Sequence, residues 1–194
     1  MGEIKITAED IIYLSDSYPE LNYIESENSI AGTLTFDLIY DGIRIKESFD
    51  IKISLNSRGD GSILPKVRET NKRILKIAKR KKIPKEDLHL NNDEGELCLI
   101  IPLKEKERYP NGFEIKEFIK HIEEHLYWVS FFEKYEKQPW KDQAHGLDGY
   151  VELYYEDNSY RPEVKKMIER ILEKPLSRSE FRNCIKKLTK KKKS

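Results

Sequence analysis

The strongest constraint in this chain is one alternating stretch folded about a two-residue turn. Leu34, Phe36, Leu38 and Tyr40 alternate with polar or small neighbours, and Phe49, Ile51, Ile53 and Leu55 do the same on the far side. Asp41-Gly42 between them is the signal for a primed hairpin turn. A period of two puts one set of side chains on one face, so this pattern predicts an antiparallel sheet with one buried and one wet face. Leu64-Pro65-Lys66-Val67 reads as a third, edge-like strand, since proline is tolerated at a sheet edge.

Helical patterns flank these strands. Thr7, with Asp10 three residues on, predicts a capped helix over roughly 8–16, stopped by Pro19. Ile115, Phe118, Ile119, Ile122, Leu126, Val129 and Phe132 recur at three- and four-residue steps and predict a long helix over roughly 114–137. Pro162 opens a last helix carrying Val164, Met167, Ile168, Ile171 and Leu172 on one face. Residues 71–88 read as basic and irregular, with a helical turn or two. Val151, Leu153 and Tyr155 alternate weakly, and the chain after Pro175 reads as polar and mobile. The expected class is α+β: an antiparallel meander of three to four strands, an N-terminal helix, and C-terminal helices packed on one side.

Composition narrows the function classes. The longest uninterrupted apolar run is Leu97–Ile101, too short to cross a bilayer. Glu3, Glu9 and Asp10 stand where a signal peptide would be basic and then apolar, so the expectation is a cytoplasmic protein without membrane partners. Two cysteines, Cys98 and Cys184, exclude a disulfide-built scaffold and a four-cysteine zinc site, and leave room for a single nucleophilic thiol. The net charge of +1 hides segregation: residues 71–85 hold eight bases and no acid, and residues 186–193 hold six lysines. Of 36 bases, 22 remain outside those fourteen, against 35 acids. The two basic segments are read as a solvated loop and a frayed tail, so nucleic acid is not an expected partner.

The chemistry-bearing stretch is His89-Leu90-Asn91-Asn92-Asp93-Glu94-Gly95-Glu96-Leu97-Cys98-Leu99. A thiolate can hold an acyl group as a thioester. An amide can stabilise the oxyanion formed when that thioester is attacked. A glycine lets the backbone turn so that the two groups meet. Other motifs weigh less. His121-Ile122-Glu123-Glu124-His125 fits an inverted zinc-protease pattern, yet it lies at the edge of the apolar stripe and is read as a structural boundary face. Neither metal nor cofactor is expected. Cys184, among lysines, reads as an exposed, non-catalytic thiol.

The strands at 33–67, Pro65-x-Val67, His89-Leu90-Asn91 and Gly95-x-x-Cys98-Leu99 resemble the ubiquitin-conjugating enzyme family in order and kind. Leu90 stands where the family has proline, the step from Asn91 to Cys98 is one residue shorter, and Ile100 replaces an acid found in many members. A nearer resemblance is to the bacterial conjugating-enzyme-like proteins of CBASS antiphage operons. It rests on Pro65–Thr70, His89 with Asp93–Leu99, and Trp140 with His145-Gly146-x-x-Gly149-x-x-Glu152-x-Tyr154. The resemblance implies a conjugating-type fold over residues 1–158, with a C-terminal helix and basic tail over 159–194. It implies that Cys98 accepts a thioester, that Asn91 is the oxyanion or loop-stabilising amide, and that His89 braces the loop. Gly95, Trp140, His145 and Gly146 would support that loop or hold a partner's tail, although His145-Gly146 also fits an ordinary tight turn. The implied partner is the C-terminus of a cyclic-oligonucleotide synthase, whose signalling the transfer primes. An activating enzyme or a ubiquitin-like protein is the further partner the resemblance allows. A non-catalytic adaptor of the same fold, a conjugating enzyme of a modifier pathway, and a basic-patch nucleic-acid binder are the alternatives.

Overall fold

The computed structural model describes residues 4–56, 58, 62–141, 143–144 and 146–191. Contacts divide the chain into two compact units, Met1–Trp140 and Lys141–Ser194. The expectation above drew its line after residue 158.

In the first unit, α1 (Ala8–Ser17) starts as its sequence predicts. Thr7 is extended and its hydroxyl accepts the Asp10 N–H at 3.1 Å, while the Asp10 carboxylate accepts the Thr7 N–H at 2.9 Å. Two otherwise orphaned donors are thereby satisfied. Four strands follow: β1 (Leu21–Ile24), β2 (Ser29–Tyr40), β3 (Ile43–Ser54) and β4 (Lys66–Glu69). They form one antiparallel meander in chain order. β1 carries too little alternation in four residues to have been foreseen, and β4 begins two residues later than predicted.

The β2–β3 hairpin is the frame. Tyr40 pairs with Ile43 across the turn, and Asp41 and Gly42 take φ of 48° and 75°, the two left-handed conformations a primed turn requires. Register places Ile30 opposite Ile53 and Leu34 opposite Phe49, all buried. The other face is polar: Thr33 donates to Asp50 at 2.6 Å and Thr35 bonds Ser48 at 2.8 Å. Against the apolar face lies α4 (Ile115–Tyr135), whose Ile115, Phe118, Ile119, Ile122, Leu126 and Val129 are buried. The Tyr127 hydroxyl donates to the Ile43 carbonyl at 2.9 Å and ties this helix to the hairpin.

Residues 71–88 correct the sequence reading. They contain a nine-residue helix, α2 (Arg73–Lys81), and a 3-10 turn at Lys85–Leu88. The density of lysine masked the apolar positions Ile74, Leu75, Ile77 and Ala78, which share one buried side. The Lys72 side chain makes no capping bond, and Glu69, 1% exposed, accepts the Ile74 N–H at 3.1 Å instead. Burial raises the Glu69 pKa above the usual carboxyl value, and backbone N–H groups at the helix start partly offset that. Arg73 locks the helix down. It donates to Glu47 of β3 at 2.9 Å and to Glu133 of α4 at 3.0 Å, with its guanidinium 4.5 Å from the Phe49 ring centroid. Arg80 adds a second bond to Glu133 at 2.6 Å. Several of the bases expected to be solvated are therefore spent on holding the fold. Beyond α2, the short α3 (Glu105–Arg108) supplies a buried carboxylate, Glu105, that accepts the Ile63 N–H at 2.8 Å and pins the chain ahead of β4.

The second unit is helical: α5 (Gly146–Glu156), α6 (Arg161–Ile171) and α7 (Arg178–Lys191). Two expectations fail here. Residues 151–155 are helix, because Tyr150, Val151 and Leu153 bury one helical side together. The chain after Pro175 is α7, begun by a Ser177–Glu180 capping box whose pattern was present in the sequence. Phe181 and Ile185 are buried on it, and Cys184, expected to be exposed, is half-buried on the same helix. No described helix is long and apolar enough to cross a membrane.

The Glu133 junction sets a measurable pH dependence. Burial pushes this carboxyl up, but hydrogen bonds from Arg80 and Arg73 and their charges outweigh it and hold the pKa below its usual value. Its contribution is therefore full above the unfolded carboxyl pKa of about 4.3 and lost as pH falls through the lower folded value. Glu133→Gln is expected to cost about 1–3 kcal/mol at pH 7. The deficit against wild type should shrink below pH 4 in urea unfolding.

Candidate active site

The outer edge of β4 would leave backbone N–H and carbonyl groups unpaired. The chain returns to fill it. The Glu69 N–H donates to the Gly95 carbonyl at 2.8 Å and the Leu97 N–H to the Val67 carbonyl at 2.8 Å. Arg68 and Glu96 face each other in this antiparallel bridge. A further rung lies outside it: Leu90 pairs with Leu97, the Asn91 N–H donates to the Glu96 carbonyl, and the Cys98 N–H donates to the His89 carbonyl, both at 2.8 Å. Leu90 and Leu97 are buried and anchor this small hairpin in the core. The apolar run at 97–101 reads in the sequence as a short strand or a buried extended segment; in the structure Leu97 takes part in a β-bridge and the run continues past it outside the four strands.

The turn is held by side chains that sequence reasoning passed over. The Asn92 carbonyl oxygen of the side chain accepts the N–H groups of Glu94 and Glu96, each at 3.1 Å. Glu96 accepts the Asn92 amide at 3.2 Å and faces Lys66 at 3.7 Å. The Asn-Asn-Asp-Glu-Gly composition is itself a turn signal, which could have identified Asn92. Lys85 closes the base of the loop on Asp93 at 2.5 Å. That hydrogen bond lowers the Asp93 pKa and raises that of Lys85, but Asp93 is exposed, so the pair adds little stability.

Gly95 is the tightest point. Its φ is +88°, and a Cβ there would lie 2.3 Å from the Glu69 carbonyl oxygen. Only glycine fits both the backbone conformation and the approach to β4.

His89, Asn91, Gly95 and Cys98 are brought together in this one hairpin. His89 takes a left-handed conformation at φ +61° and ends the 3-10 turn. Its ring is buried, edge-on to Trp128 at 4.5 Å and His125 at 5.1 Å between centroids. Its carbonyl, not its ring, is what holds the Cys98 N–H. Asn91 donates its side-chain amide to the Leu97 carbonyl at 3.2 Å and to Glu96 at 3.4 Å. Of the two roles expected for it, loop bracing is the one this bonding supports. Cys98 is half-buried at the exit of the hairpin, followed by half-buried Leu99 and Ile100 packed on the core.

The remaining expected residues lie elsewhere. Trp140 packs on Tyr40 at 4.8 Å and stacks on Tyr127 at 5.9 Å, by the turn of the β2–β3 hairpin. Gly146 begins α5 in the second unit, and His145 lies outside the described residues. His121 and His125, expected at a boundary, are buried instead. Tyr109 and His89 supply their partners from outside the helix: the Tyr109 hydroxyl meets His121 Nδ1 at 2.7 Å. Among the described residues no group of three His, Cys, Asp or Glu side chains could hold a metal ion.

No family model, no curated protein and no solved structure matches this chain.

Gly95→Ala combines a strained backbone with a clash against β4. It is expected to destabilise the first unit by roughly 2–4 kcal/mol. A shift in the urea midpoint of the matching transition, with an unchanged slope, would be the sign of it.

Proposed function

We propose that the first unit is an acyl transferase of the ubiquitin-conjugating kind and that Cys98 carries the acyl group as a thioester. The observation that carries this reading is the placement of Cys98. A half-buried thiol stands at the exit of a hairpin bonded to β4 and braced by the Asn91 side chain, on the edge of an antiparallel meander, with apolar residues fixing the chain behind it. Rigid support of a reacting atom is what transfer chemistry requires.

The steps follow from the thiol. Cys98 Sγ, deprotonated, attacks the carbonyl carbon of an activated C-terminal acyl group, and the donor's leaving group departs with its electron pair. The thioester is then attacked by an amine or hydroxyl. The S–C bond breaks, and the thiol is restored as the nucleophile gives up its proton. Asn91, its amide committed to Leu97 and Glu96, acts by keeping the loop in place. Ile100 offers no carboxylate to take a proton from an incoming amine, so that proton leaves by another route. In this reading the acyl group is the C-terminus of a cyclic-oligonucleotide synthase in bacterial antiphage defence, delivered by an activating enzyme.

The chain co-expressed with such a synthase and its activating enzyme should give a thiol-sensitive adduct on non-reducing gels. Cys98→Ala should abolish it, Cys98→Ser should convert it to a thiol-resistant oxyester, and Cys184→Ala should leave it unchanged. An adduct that survives Cys98→Ala overturns the reading. Absence of any adduct, with the synthase still bound, replaces it with a non-catalytic adaptor. Asn91→Ala is expected to lower stability by about 1 kcal/mol and to slow adduct formation. Asn91→Asp should lose at least as much stability, because a carboxylate cannot donate to the Leu97 carbonyl and would face the Glu96 carboxylate.

A further inference from the structure

The second unit contains a cleft of about 340 Å³ lined by Tyr154, Tyr155, Arg161, Arg182, Ile185 and Lys186. That volume is in the range of small-molecule sites. Three of the six lining residues are cations and none is an acid. Among the described residues, Arg161, Arg182 and Lys186 take part in no ion pair, whereas Lys165, Lys166 and Lys174 of the same unit are each matched to a glutamate. Positive charge left uncompensated in a concave surface attracts an anion.

The aromatic part is equally particular. Arg161 is fixed twice, by its Nε–H on the Tyr154 carbonyl at 3.3 Å and by its guanidinium over the Tyr154 ring at 4.8 Å. Tyr154 is wedged edge-on between Tyr155 and Phe181. Tyr155 is 57% exposed, a large ring presented to solvent beside the charges. Arg182 and Lys186 stand one turn apart on α7, about 6 Å along its axis. An acidic peptide would use the cations and leave the ring idle. A ligand with both an anionic group and a planar ring uses both.

We propose that this cleft binds a nucleotide, with Tyr155 stacking on the base and Arg182 and Lys186 holding the phosphates. Base–aromatic stacking beside a cationic track is the general means of gripping such a ligand. The chemistry is the same whether the nucleotide is free or one unit of a single strand. The assignment rests on the second unit alone and is independent of the reading of Cys98.

The test is calorimetric titration of the full chain, at low salt, with ATP, with a uridine 12-mer RNA and with inorganic tripolyphosphate. Binding of ATP identifies a free nucleotide, and binding of the RNA without ATP identifies a strand. Either should weaken about tenfold in Tyr155→Ala, the effect of one lost stack, and be restored in Tyr155→Phe. The double variant Arg182→Ala, Lys186→Ala should lose binding, with circular dichroism confirming retained helix, and Cys98→Ala should bind as wild type does. Tripolyphosphate binding as tightly as ATP, with no effect of Tyr155→Ala, would make this a bare anion site and overturn the proposal. So would failure of both ATP and RNA to bind.

Discussion

The free edge of β4 is the constraint on which the candidate site depends. A strand edge facing no partner leaves polar backbone groups that must be satisfied. Here two hydrogen bonds, from Glu69 to Gly95 and from Leu97 to Val67, satisfy them with the chain's own returning loop. Much follows from those two bonds. The approach demands a glycine at 95. The turn ahead of it needs the Asn92 side chain. The next rung, Leu90 with Leu97, fixes where the pairing ends, and the residue just past its end is Cys98.

The basic stretch between β4 and this loop is structural before it is anything else. Arg73, Arg80, Lys81 and Lys85 reach Glu47, Glu133, Glu136 and Asp93. These pairs are partly or wholly exposed, so each contributes modestly, and the burial of Ile74, Leu75, Ile77 and Ala78 supplies more of the hold. The charged residues orient α2 on the sheet and on α4. In the second unit the arrangement is reversed: cations around Tyr155 are left without acids.

What could be read from the sequence followed how many residues carried each signal. The β2–β3 hairpin and α4 were legible because their periods run long and end in definite stops. α1 was legible from two side chains, Thr7 and Asp10, because a capping box is local chemistry. The same chemistry at Ser177 and Glu180 went unread beneath the lysines that follow. α2 was hidden because its apolar positions are outnumbered by bases, and α5 because three alternating residues fit a strand as well as a helix. Within the site, the nearness of His89, Asn91, Gly95 and Cys98 was visible from spacing alone. That the Asn91 amide is committed within the loop, and that the His89 ring is turned into the core beside Trp128, depend on bonds between residues that no spacing specifies.

Glu69 is held on both sides. Its side chain receives the first turn of α2, and its backbone N–H holds the glycine that shapes the Cys98 loop. One residue at the end of a strand thus belongs to two equilibria, the seating of a basic helix and the closure of a loop. By the reciprocity of linked equilibria, to whatever extent opening the loop loosens the helix, seating the helix holds the loop closed by the same amount. The basic segment and the cysteine, far apart in the charge map, are neighbours in free energy.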